Sequence, residues 1–422
     1  MKEKIKILVI PSDRQGVGHY RSIWSSKYLK KYKKEDFDIK IDVSPDVNNI
    51  GYLSSFDIIH FHRQLGGYEN SKSVFDKIKE TGTKLVMDID DYWCPPPTHP
   101  LHDIVKKEQI DKKIEKNIKM SDWVTTTTEI FADKIKKLNK NVAVFPNTVE
   151  AKSKMWSNNE PDKFPKKTNK VRVGWIGGSS HKFDLELLRD SMKMLSEDLD
   201  LREKTQIVMC GFDIRGEVTH IMPDGSRQKR AIQPHETVWL DFERIFTNNY
   251  ALINDNEEYK KWLLKIKKEE FEDEYEQNYV RRWTQNLNSY AEHYNYCDIC
   301  LAPLVDTYLR QINQGGKIKM IQRPHIFNEV KSELKILEAG VKKKALIAQD
   351  FGIYSQKLIH GKTGMLVKNN KDGWYKAIKE LVENKNMREE LAGNLHEWVI
   401  KEYSNEKINE IRSDFYKKIG KK

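Results

Sequence analysis

Cysteine is scarce in this chain of 422 residues, which contains only four. Cys297 and Cys300 form a C-x-x-C pair, and the sequence has no second pair that could complete a zinc site with it. Both residues lie in an apolar run, so we interpret them as buried thiols rather than as metal or redox groups. So few cysteines argue against a disulfide-rich secreted protein, and we expect a cytoplasmic protein with reduced thiols.

Long hydrophobic runs are also missing. No stretch approaches the ~20 consecutive apolar residues of a membrane-spanning helix. The charged first residues lead into only a short apolar run, which predicts a first strand rather than a signal peptide. We also find no internal repeat of the period that solenoid proteins show. The chain is long enough for two soluble domains, each with its own core.

Basic residues outnumber acidic ones, and the formal net charge is +11. Such an excess is compatible with binding to nucleic acid, to an anionic membrane surface or to sugar nucleotides. Most of the additional lysines are scattered along the chain, which is more typical of a soluble surface than of a binding stripe. Charge alone therefore leaves these classes of partner open.

The first half of the chain predicts a doubly wound α/β domain. Predicted strands alternate with helices, and a glycine-containing loop and a helix follow the first strand, as at the start of such a domain. The predicted strands of this half cover residues 5–10, 56–62, 84–89, 122–127 and 142–145.

The loop after the first strand is a candidate acceptor site. Gly16 and Gly18 lie in this loop, and His19 and Arg21 follow at the start of the helix. These polar residues suit a polar acceptor better than a dinucleotide, because a single G-x-G is weak evidence for phosphate binding. An ordinary turn between strand and helix is the alternative.

Polar residues also end two later strands, at the edge where open α/β sheets bind ligands. His62 ends the strand 56–62 and is placed to meet substrate, whereas His60 is interpreted as a core residue. Asp90 and Asp91 follow the strand 84–89 and precede a proline-rich loop. These carboxylates could bind a metal, accept hydrogen bonds from sugar hydroxyls or cap a helix.

The pattern restarts after a polar linker at residues 151–170, with predicted strands at 171–176, 206–211, 297–304 and 345–349. The first of these strands leads into a loop that could expose several backbone N–H groups at a helix start, and two basic side chains add donors. We predict a phosphate site here, with a simple turn and helix cap as the alternative. The residues of this loop are Gly177, Gly178, Ser179, Ser180, His181 and Lys182.

Between the second and third of these strands the alternation of strands and helices is interrupted. We predict a loop at residues 212–237, a charged helix at 257–276 and an aromatic-rich helix at 279–296. Residues 306–325 predict a loop or small hairpin, and residues 372–383 and 386–401 predict helices.

Residues 327–340 predict a helix with a polar side that could bind a nucleoside diphosphate. A helix start with a lysine is a natural anion site, and a carboxylate one or two turns deeper could accept hydrogen bonds from a ribose. An amphipathic helix with a solvated charged face is the alternative. The polar residues recur at steps of three and four and are Asn328, Lys331, Ser332, Lys335 and Glu338.

The second half resembles the nucleotide-binding domain of GT-B glycosyltransferases, specifically the large retaining family of glycogen-synthase-like and phosphatidylinositol-mannosyltransferase-like enzymes. The motifs that carry the resemblance are VGWIGGSSHKFDL, CDICLAPL, FNEVKSELKILEAG and ALIAQDFGIYSQKLIHGKTGMLV. The first half fits the acceptor domain of that family more loosely, through GVGHYR, DIIHFHR and PNTV. With DIDDYW, the chain is similar to a subgroup from bacteriophages and bacterial surface-glycan clusters.

The resemblance implies roles for individual residues. Glu338 matches the second glutamate of the family's E-x7-E motif, but Val330 occupies the first position, so Lys331, with Asn328 or Ser332, is expected to replace the missing contact. His62 matches the histidine near the reacting sugar. His181 and Lys182 match basic diphosphate contacts, and Gly16 and Gly18 match the flexible first loop of the acceptor domain.

The implied fold has two Rossmann-like domains facing a cleft: an acceptor domain at residues 1–165 and a donor domain at 166–403, with an insertion around 212–290. A last helix at 404–422 is expected to cross back onto the first domain. We expect Lys331, Lys182 and the loop at 177–180 to stabilise the leaving diphosphate, and His62 to act at the reacting sugar, without a metal or prosthetic group.

The implied reaction moves a hexose from a nucleotide-diphosphate sugar to a hydroxyl acceptor with retention, and UDP-glucose is the default donor. For the acceptor we consider a modified base in phage DNA, and alternatively a surface glycan or teichoic-acid-type polymer. A non-catalytic protein that binds sugar nucleotides is a further alternative. We expect no stable membrane insertion, and a location in the cytoplasm, that of the host if a phage encodes the chain.

Overall fold

The computed structural model of the protein describes residues 3–67, 71–157, 169–213, 216–222, 226–233, 236–248, 278–314 and 317–420. Its internal contacts divide the chain into two compact units. Unit 1 comprises residues 1–151, 306–337 and 399–422, and unit 2 comprises residues 152–305 and 338–398. The domain boundaries expected at residues 165 and 403 stay a prediction, and the contacts place residues 306–337, which we expected in the second domain, in unit 1.

Unit 1 contains a six-stranded parallel sheet with the order β2-β1-β3-β4-β5-β6. Apolar side chains cover both of its faces, which explains why its strands are almost continuous apolar runs. Ile7 and Val9 pack on one face with Phe415 of the last helix, and Leu8 packs on the other face with Phe61. The strands are β1 (Ile5–Ile10), β2 (Phe37–Ile41), β3 (Ile58–His62), β4 (Lys84–Asp88), β5 (Trp123–Thr126) and β6 (Val142–Val144).

Unit 2 contains a second six-stranded parallel sheet, with the order β11-β8-β7-β12-β15-β16. One extended apolar cluster covers it and includes Trp175, Met209 and Trp374. The strands are β7 (Val171–Ile176), β8 (Thr205–Phe212), β11 (Tyr279–Trp283), β12 (Ile299–Ala302), β15 (Ala345–Gln349) and β16 (Met365–Val367).

Two antiparallel hairpins accompany the sheets. Unit 2 carries β9 (Glu217–Ile221) paired with β10 (Arg227–Ala231), and unit 1 carries β13 (Thr307–Gln314) paired with β14 (Lys317–Pro324). Of the loop or small hairpin expected at residues 306–325, the structure shows the hairpin.

Helices connect the parallel strands, as a doubly wound sheet requires. Short 3-10 turns cover Ser179–His181 and Tyr290–Tyr296, and a π-helical turn, His19–Ile23, joins the first two helices. The helices are α1 (Gly16–Gly18), α2 (Trp24–Tyr32), α3 (Ile50–Leu53), α4 (Ser71–Glu80), α5 (His102–Lys107), α6 (Ile110–Met120), α7 (Glu129–Ile135), α8 (Lys154–Ser157), α9 (Lys182–Glu186), α10 (Arg189–Glu197), α11 (Leu199–Lys204), α12 (Val238–Thr247), α13 (Ile326–Glu329), α14 (Leu334–Val341), α15 (Gly352–Lys357), α16 (Gly373–Glu383), α17 (Lys385–Glu402) and α18 (Asn405–Ile419).

The last helix, α18, belongs to unit 1 and packs against α2. Its Tyr416 hydroxyl lies 2.5 Å from Nδ1 of His60, and Nε2 of the same imidazole lies 3.0 Å from the Thr125 hydroxyl. Burial lowers the pKa of His60 to about 3, so this imidazole is neutral at physiological pH. The interpretation of His60 as a core residue is confirmed.

Two segments of the predicted insertion fold differently from our expectation. The segment expected to be a loop at 212–237 contains the β9–β10 hairpin, whose side chains are largely exposed and therefore lack the apolar alternation that marks a strand. The segment expected to be a helix at 279–296 contains β11 and a 3-10 turn. Arginines are usually exposed, but here Arg281 is buried against Glu243 at 2.9 Å and Arg282 lies over the Tyr296 ring. The helix expected at 257–276 lies outside the described residues.

The prediction of one continuous helix at 327–340 is also wrong. The segment is divided into α13 and α14, and residues 330–333 between them are not helical. Val330 packs into the core of unit 1, and the buried Glu333 accepts a hydrogen bond from the Asn147 backbone N–H at 2.7 Å. These tertiary contacts override the helical propensity of a segment without proline.

Among the helices that the structure describes, none combines the length and the apolar composition needed to cross a membrane.

A buried ion pair holds the carboxyl edge of the sheet in unit 1. The Arg21 guanidinium makes two hydrogen bonds to Asp88, at 2.7 and 3.0 Å, and both side chains are 1% exposed. Its third nitrogen donates to the Phe145 carbonyl at 2.7 Å and to the Asn147 side-chain oxygen at 3.1 Å. Burial by itself would raise the pKa of Asp88, but the Arg21 charge outweighs burial and lowers the pKa to about 2.

We expect the substitution Arg21→Met to lower the free energy of unfolding by about 3–5 kcal/mol, because it leaves the Asp88 carboxylate buried without its partner. The matched control is Lys30→Met on α2, the helix that directly follows the π-helical turn of Arg21, where the lysine is exposed. Urea denaturation of both variants and of the parent protein measures the difference. A loss no greater than that of the control would contradict a structural function for the pair.

Candidate functional site

Each parallel sheet has a point where the strand order changes direction, and ligands of open α/β sheets bind beyond the carboxyl ends of the strands there. In unit 1 this point lies between β1 and β3, because β2 lies on the other side of β1. In unit 2 it lies between β7 and β12, because β7, β8 and β11 follow one another toward one edge of the sheet, whereas β12, β15 and β16 follow one another toward the other edge. The candidate site residues that follow β1, β3 and β7 therefore lie at positions that bind ligands in this class of fold.

The glycine loop after β1 is closed by its own aspartate. Asp13 Oδ1 accepts hydrogen bonds from the backbone N–H groups of Gln15 at 2.7 Å and of Gly18 at 3.1 Å. A Cβ at Gly18 would lie 2.0 Å from the Asp13 carbonyl oxygen, so only glycine fits there, whereas Gly16 has open space around it. A carboxylate thus already occupies the position that a phosphate would take at the Gly18 N–H.

The two other residues predicted on the acceptor side of this loop differ in exposure. His19 is half-buried, with Nδ1 2.9 Å from the Gln15 carbonyl oxygen and its ring edge-on to Trp24. Arg21 is buried in its pair with Asp88. The structure therefore gives Arg21 a structural function at the sheet edge, where a bound acceptor could not reach its side chain.

His62 and Asp90 meet at the carboxyl ends of β3 and β4. The imidazole Nε2 lies 2.9 Å from Asp90 Oδ1, and the Arg63 guanidinium donates to the same oxygen at 2.8 Å. Burial would raise the pKa of Asp90, but the charges of Arg63 and His62 outweigh burial and hold the pKa well below its usual range. Asp90 is therefore ionised and orients the imidazole. Arg63 adopts a left-handed backbone conformation, with φ of 56°, in making this contact.

Lys331 lies beside this group in unit 1. Its Nζ is 2.8 Å from Asp91 Oδ1, and it lies 4.4 Å from the centroid of the Phe327 ring. Asp91 also lies 3.8 Å from Arg63, so the two acidic residues and the two cations form one network. Lys331 is half-buried and has two further N–H donors beyond the one directed to Asp91.

The other predicted residues of the segment 327–340 lie on both sides of its non-helical break. Asn328 is buried in α13, where its backbone N–H donates to His325 Nδ1 at 3.1 Å. Ser332 is half-buried in the break, and Lys335 is half-buried in α14. Because the helix is divided, Asn328 and Lys335 do not share one helical side, contrary to our expectation.

In unit 2 the loop after β7 presents exposed backbone. Gly178, Ser179 and Ser180 are exposed, and none of their backbone N–H groups donates a hydrogen bond to another described residue. The Gly177 N–H, by contrast, donates to the Cys210 carbonyl at 3.2 Å. Three adjacent N–H groups are therefore available to an anion at the switch point of this sheet.

Both basic residues of this loop are held by carboxylates of unit 2. His181 Nδ1 lies 2.8 Å from Asp184, whose second oxygen accepts from the Val305 N–H at 2.8 Å. Lys182 Nζ lies 2.6 Å from Asp241 and remains partly exposed. Asp184 thus links the loop after β7 to the segment after β12, which is the other side of the switch point.

Glu338 is completely buried in α14. It accepts hydrogen bonds from the hydroxyl of Tyr294 at 2.5 Å and, more weakly, from that of Tyr290 at 3.4 Å. Burial and the neighbouring Glu338 carboxylate raise the pKa of Tyr294 well above its usual range, so the hydroxyl keeps its proton. A ribose at this carboxylate would have to share it with the two tyrosines or displace them.

Several partners of these groups were missed from the sequence. Asn147 and Glu333 connect the buried Arg21 to the segment that carries Lys331, and Tyr294 holds Glu338. Sequence spacing gives no signal for these contacts, because the partners are 44 to 186 residues apart. Among the described residues, no group of three or more histidine, cysteine, aspartate or glutamate side chains has the arrangement of a metal site.

No protein-family model matches the sequence, and no curated protein sequence matches it. Solved structures do match the fold along almost the whole chain. HepE from Anabaena, solved in complex with UDP, is 11% identical, with 99% of this chain and 100% of that chain covered and a TM-score of 0.56.

Two further structures match over 99% of both chains. A glycosyltransferase from Rickettsia africae ESF-5 is 16% identical with a TM-score of 0.58, and sucrose-phosphate synthase from Thermosynechococcus elongatus is 12% identical with a TM-score of 0.56. At these identities the likeness establishes the fold. The prediction of the GT-B fold with two Rossmann-like domains is confirmed, and the structure gives each domain a sheet of six parallel strands.

Proposed function

We propose that the protein is a glycosyltransferase that moves a hexose from a nucleotide-diphosphate sugar to a hydroxyl acceptor. The loop after β7 carries the proposal, because it combines three exposed N–H groups, His181 and Lys182 at the switch point of unit 2. Such a loop suits a diphosphate, whose oxygens accept hydrogen bonds and carry negative charge. The fold supports the proposal by analogy only, since one fold can host several functions.

UDP-glucose is the donor that we favour. The structure neighbour HepE has been solved with UDP, with UDP and glucose, and with UDP-glucose, and we infer the donor class from that neighbour. Glu338 is the proposed contact of the ribose hydroxyls, and Asn328, Ser332 and Lys335 are proposed to contribute to the same donor site. No prosthetic group or metal is part of the proposed reaction.

The chemistry requires stabilisation of the leaving diphosphate. Its negative charge grows as the bond to the sugar breaks and the sugar approaches an oxocarbenium ion. We propose that Lys182 and the N–H groups at residues 178–180 stabilise this charge, with Lys331 as a further cation. The two lysines are already held by Asp241 and Asp91, so they need little reorganisation.

His62 is the proposed contact of the reacting sugar. Its imidazole is oriented by Asp90, and it ends β3 at the switch point of unit 1. We propose transfer with retention. Asp91, Gly16, Gly18 and His19 are proposed to line the acceptor side, and a modified base in phage DNA is the favoured acceptor, with a surface glycan or teichoic-acid-type polymer as the alternative.

The direct test offers UDP-, GDP- and ADP-sugars to the protein, with hydroxymethylated DNA in one set of reactions and surface glycans in another. Mass spectrometry of the acceptors measures transfer. We expect one hexose to be added from the UDP-sugar to one acceptor class, and the stereochemistry of the new bond, read by NMR, to be retained. Absence of transfer from every donor, together with absence of nucleotide binding, would refute the proposal, whereas nucleotide binding without transfer would favour the non-catalytic alternative.

Lys331→Ala is expected to lower kcat by about 10²–10³-fold without unfolding the protein, because it removes a fixed cation from the developing charge. The matched control is Lys134→Ala. Lys134 lies 2.9 Å from Glu329 and is 27% exposed, against 2.8 Å and 25% for Lys331. Equal turnover of the two variants would show that Lys331 has no part in the reaction.

Lys182→Ala is expected to weaken the binding of UDP by about ten- to a hundredfold, because a charge-assisted hydrogen bond to the diphosphate is lost. Lys193→Ala is the control, since this lysine is exposed on α10 and, among the described residues, its side chain forms only a long ion pair of 3.9 Å with Glu197. Fluorescence-detected competition between UDP and a labelled nucleotide measures the affinity of both variants for UDP. Unchanged affinity in Lys182→Ala would remove this residue from the donor site.

A further inference from the structure

The β13–β14 hairpin of unit 1 has two chemically different faces. Residues that pair directly across an antiparallel ladder project to the same side. Leu309 pairs with Gln322, Gln311 with Met320, and Asn313 with Ile318, so these six residues form one face, which we call the apolar face. It carries three large aliphatic side chains and no charge.

The opposite face of the hairpin carries all of its charges. Arg310 pairs with Ile321, Ile312 with Lys319, Gln314 with Lys317, and Tyr308 with Arg323. Residues 307–324 include four basic residues and no aspartate or glutamate. The four basic residues are exposed and are Arg310, Lys317, Lys319 and Arg323.

The three aliphatic side chains of the apolar face are largely exposed to solvent. Leu309 is 60% exposed, Ile318 68% and Met320 56%. Ile318 and Met320 are neighbours on one strand, and Leu309 is diagonal to Met320 on the other, so the three side chains form one continuous patch. A continuous exposed apolar patch is typical of a surface that binds a partner.

The hairpin is anchored at its base. The His325 backbone N–H donates to the Asp306 carbonyl at 2.8 Å, and the Tyr308 ring lies edge-on to the buried His325 ring at 5.7 Å. The same imidazole accepts from the first turn of α13. The two faces are therefore presented by a defined element that leads directly into the segment of Lys331.

We propose that this hairpin docks on an anionic lipid surface, with Leu309, Ile318 and Met320 inserted at the level of the headgroups. Aliphatic insertion combined with attraction of lysine and arginine to anionic headgroups is how peripheral proteins bind lipid surfaces. The hairpin is only two strands wide, and long basic side chains extend around it to reach the lipid phosphates. The proposal does not depend on glycosyl transfer.

Charge complementarity favours a lipid surface over other partners. A second copy docked through the same face would cover the aliphatic side chains, but its own hairpin, residues 307–324, would bring no acidic residue to the four positive charges on the opposite face. A nucleic acid would neutralise the four cations but would leave the three exposed aliphatic side chains in water. An anionic lipid surface accommodates both sets of residues.

The test is co-sedimentation of the full chain with phosphatidylcholine vesicles, with and without phosphatidylglycerol. We expect the parent protein to bind the anionic vesicles at least about tenfold more tightly than the neutral ones. Replacing the aliphatic side chains (Leu309→Ser, Ile318→Ser, Met320→Ser) should weaken binding by about tenfold or more, because the insertion is lost. Replacing the four cations by glutamine should remove the preference for anionic lipid.

Two control variants match these changes in composition but lie elsewhere. Leu101→Ser, Leu199→Ser and Ile359→Ser remove aliphatic side chains that are 56%, 63% and 57% exposed. Lys137→Gln, Lys357→Gln, Lys362→Gln and Lys368→Gln remove four positive charges from exposed positions. Both controls should bind the anionic vesicles as the parent does. Circular dichroism before sedimentation verifies that each variant is folded.

A single tryptophan on the apolar face provides a second test that does not depend on the folding of a multiple variant. Brominated lipid in anionic vesicles should quench the fluorescence that Leu309→Trp adds to that of the parent protein. It should not quench the fluorescence that Leu199→Trp adds. The proposal is overturned if the parent protein does not bind anionic vesicles, or if the hairpin variants bind as well as their controls. It is also overturned if vesicle binding depends on the four cations alone and duplex DNA competes with the vesicles, which indicates a polyanion site. A third contrary result is that the aliphatic changes abolish self-association and leave vesicle binding unchanged, which indicates an interface between copies.

Discussion

The buried pair of Arg21 and Asp88 is the interaction on which the carboxyl edge of unit 1 depends. A guanidinium removed from water needs hydrogen-bond partners, and all three nitrogens of Arg21 find them by joining the ends of β4 and β6 to the helical segment that follows β1. Asn147, which accepts one of these bonds, also binds Glu333 through its backbone. The same network therefore extends from the sheet to the segment that carries Lys331.

This arrangement leaves the charged groups at the edge already paired. Asp90 holds His62 and Arg63, and Asp91 holds Lys331. In unit 2, Asp241 holds Lys182 in the same way. Cations fixed by carboxylates reorganise little when a charged ligand binds, which is the condition under which electrostatic stabilisation of a leaving group is most effective. The proposed chemistry thus rests on pairs that the folded chain forms before any ligand arrives.

The sequence predicted most strands of the two sheets, though not β2, β11 and β16, and it predicted few of the charged contacts, for a physical reason. β1, β7 and β15 match their predicted bounds, because strands buried on both faces are continuous apolar runs. Arg21 was expected on the acceptor side of the first loop, since nothing in its local sequence reveals that Asp88, 67 residues away, lies opposite it. The break between α13 and α14 was missed likewise, because it results from contacts of Val330 and Glu333 with residues distant in the sequence and not from a local helix-breaking residue. Val330, in the core, also accounts for an apolar residue where the resemblance led us to expect a glutamate.

Calorimetric titration of the full chain with UDP measures whether unit 2 holds the diphosphate of a nucleotide sugar, as we propose. We expect one UDP per chain, with a dissociation constant in the range of roughly 1 μM to 1 mM that is usual for enzyme substrates. We also expect weaker binding of UMP, which lacks the second phosphate. Absence of binding to UDP, GDP and ADP alike, or equal affinity for UMP and UDP, would show that unit 2 has no diphosphate site.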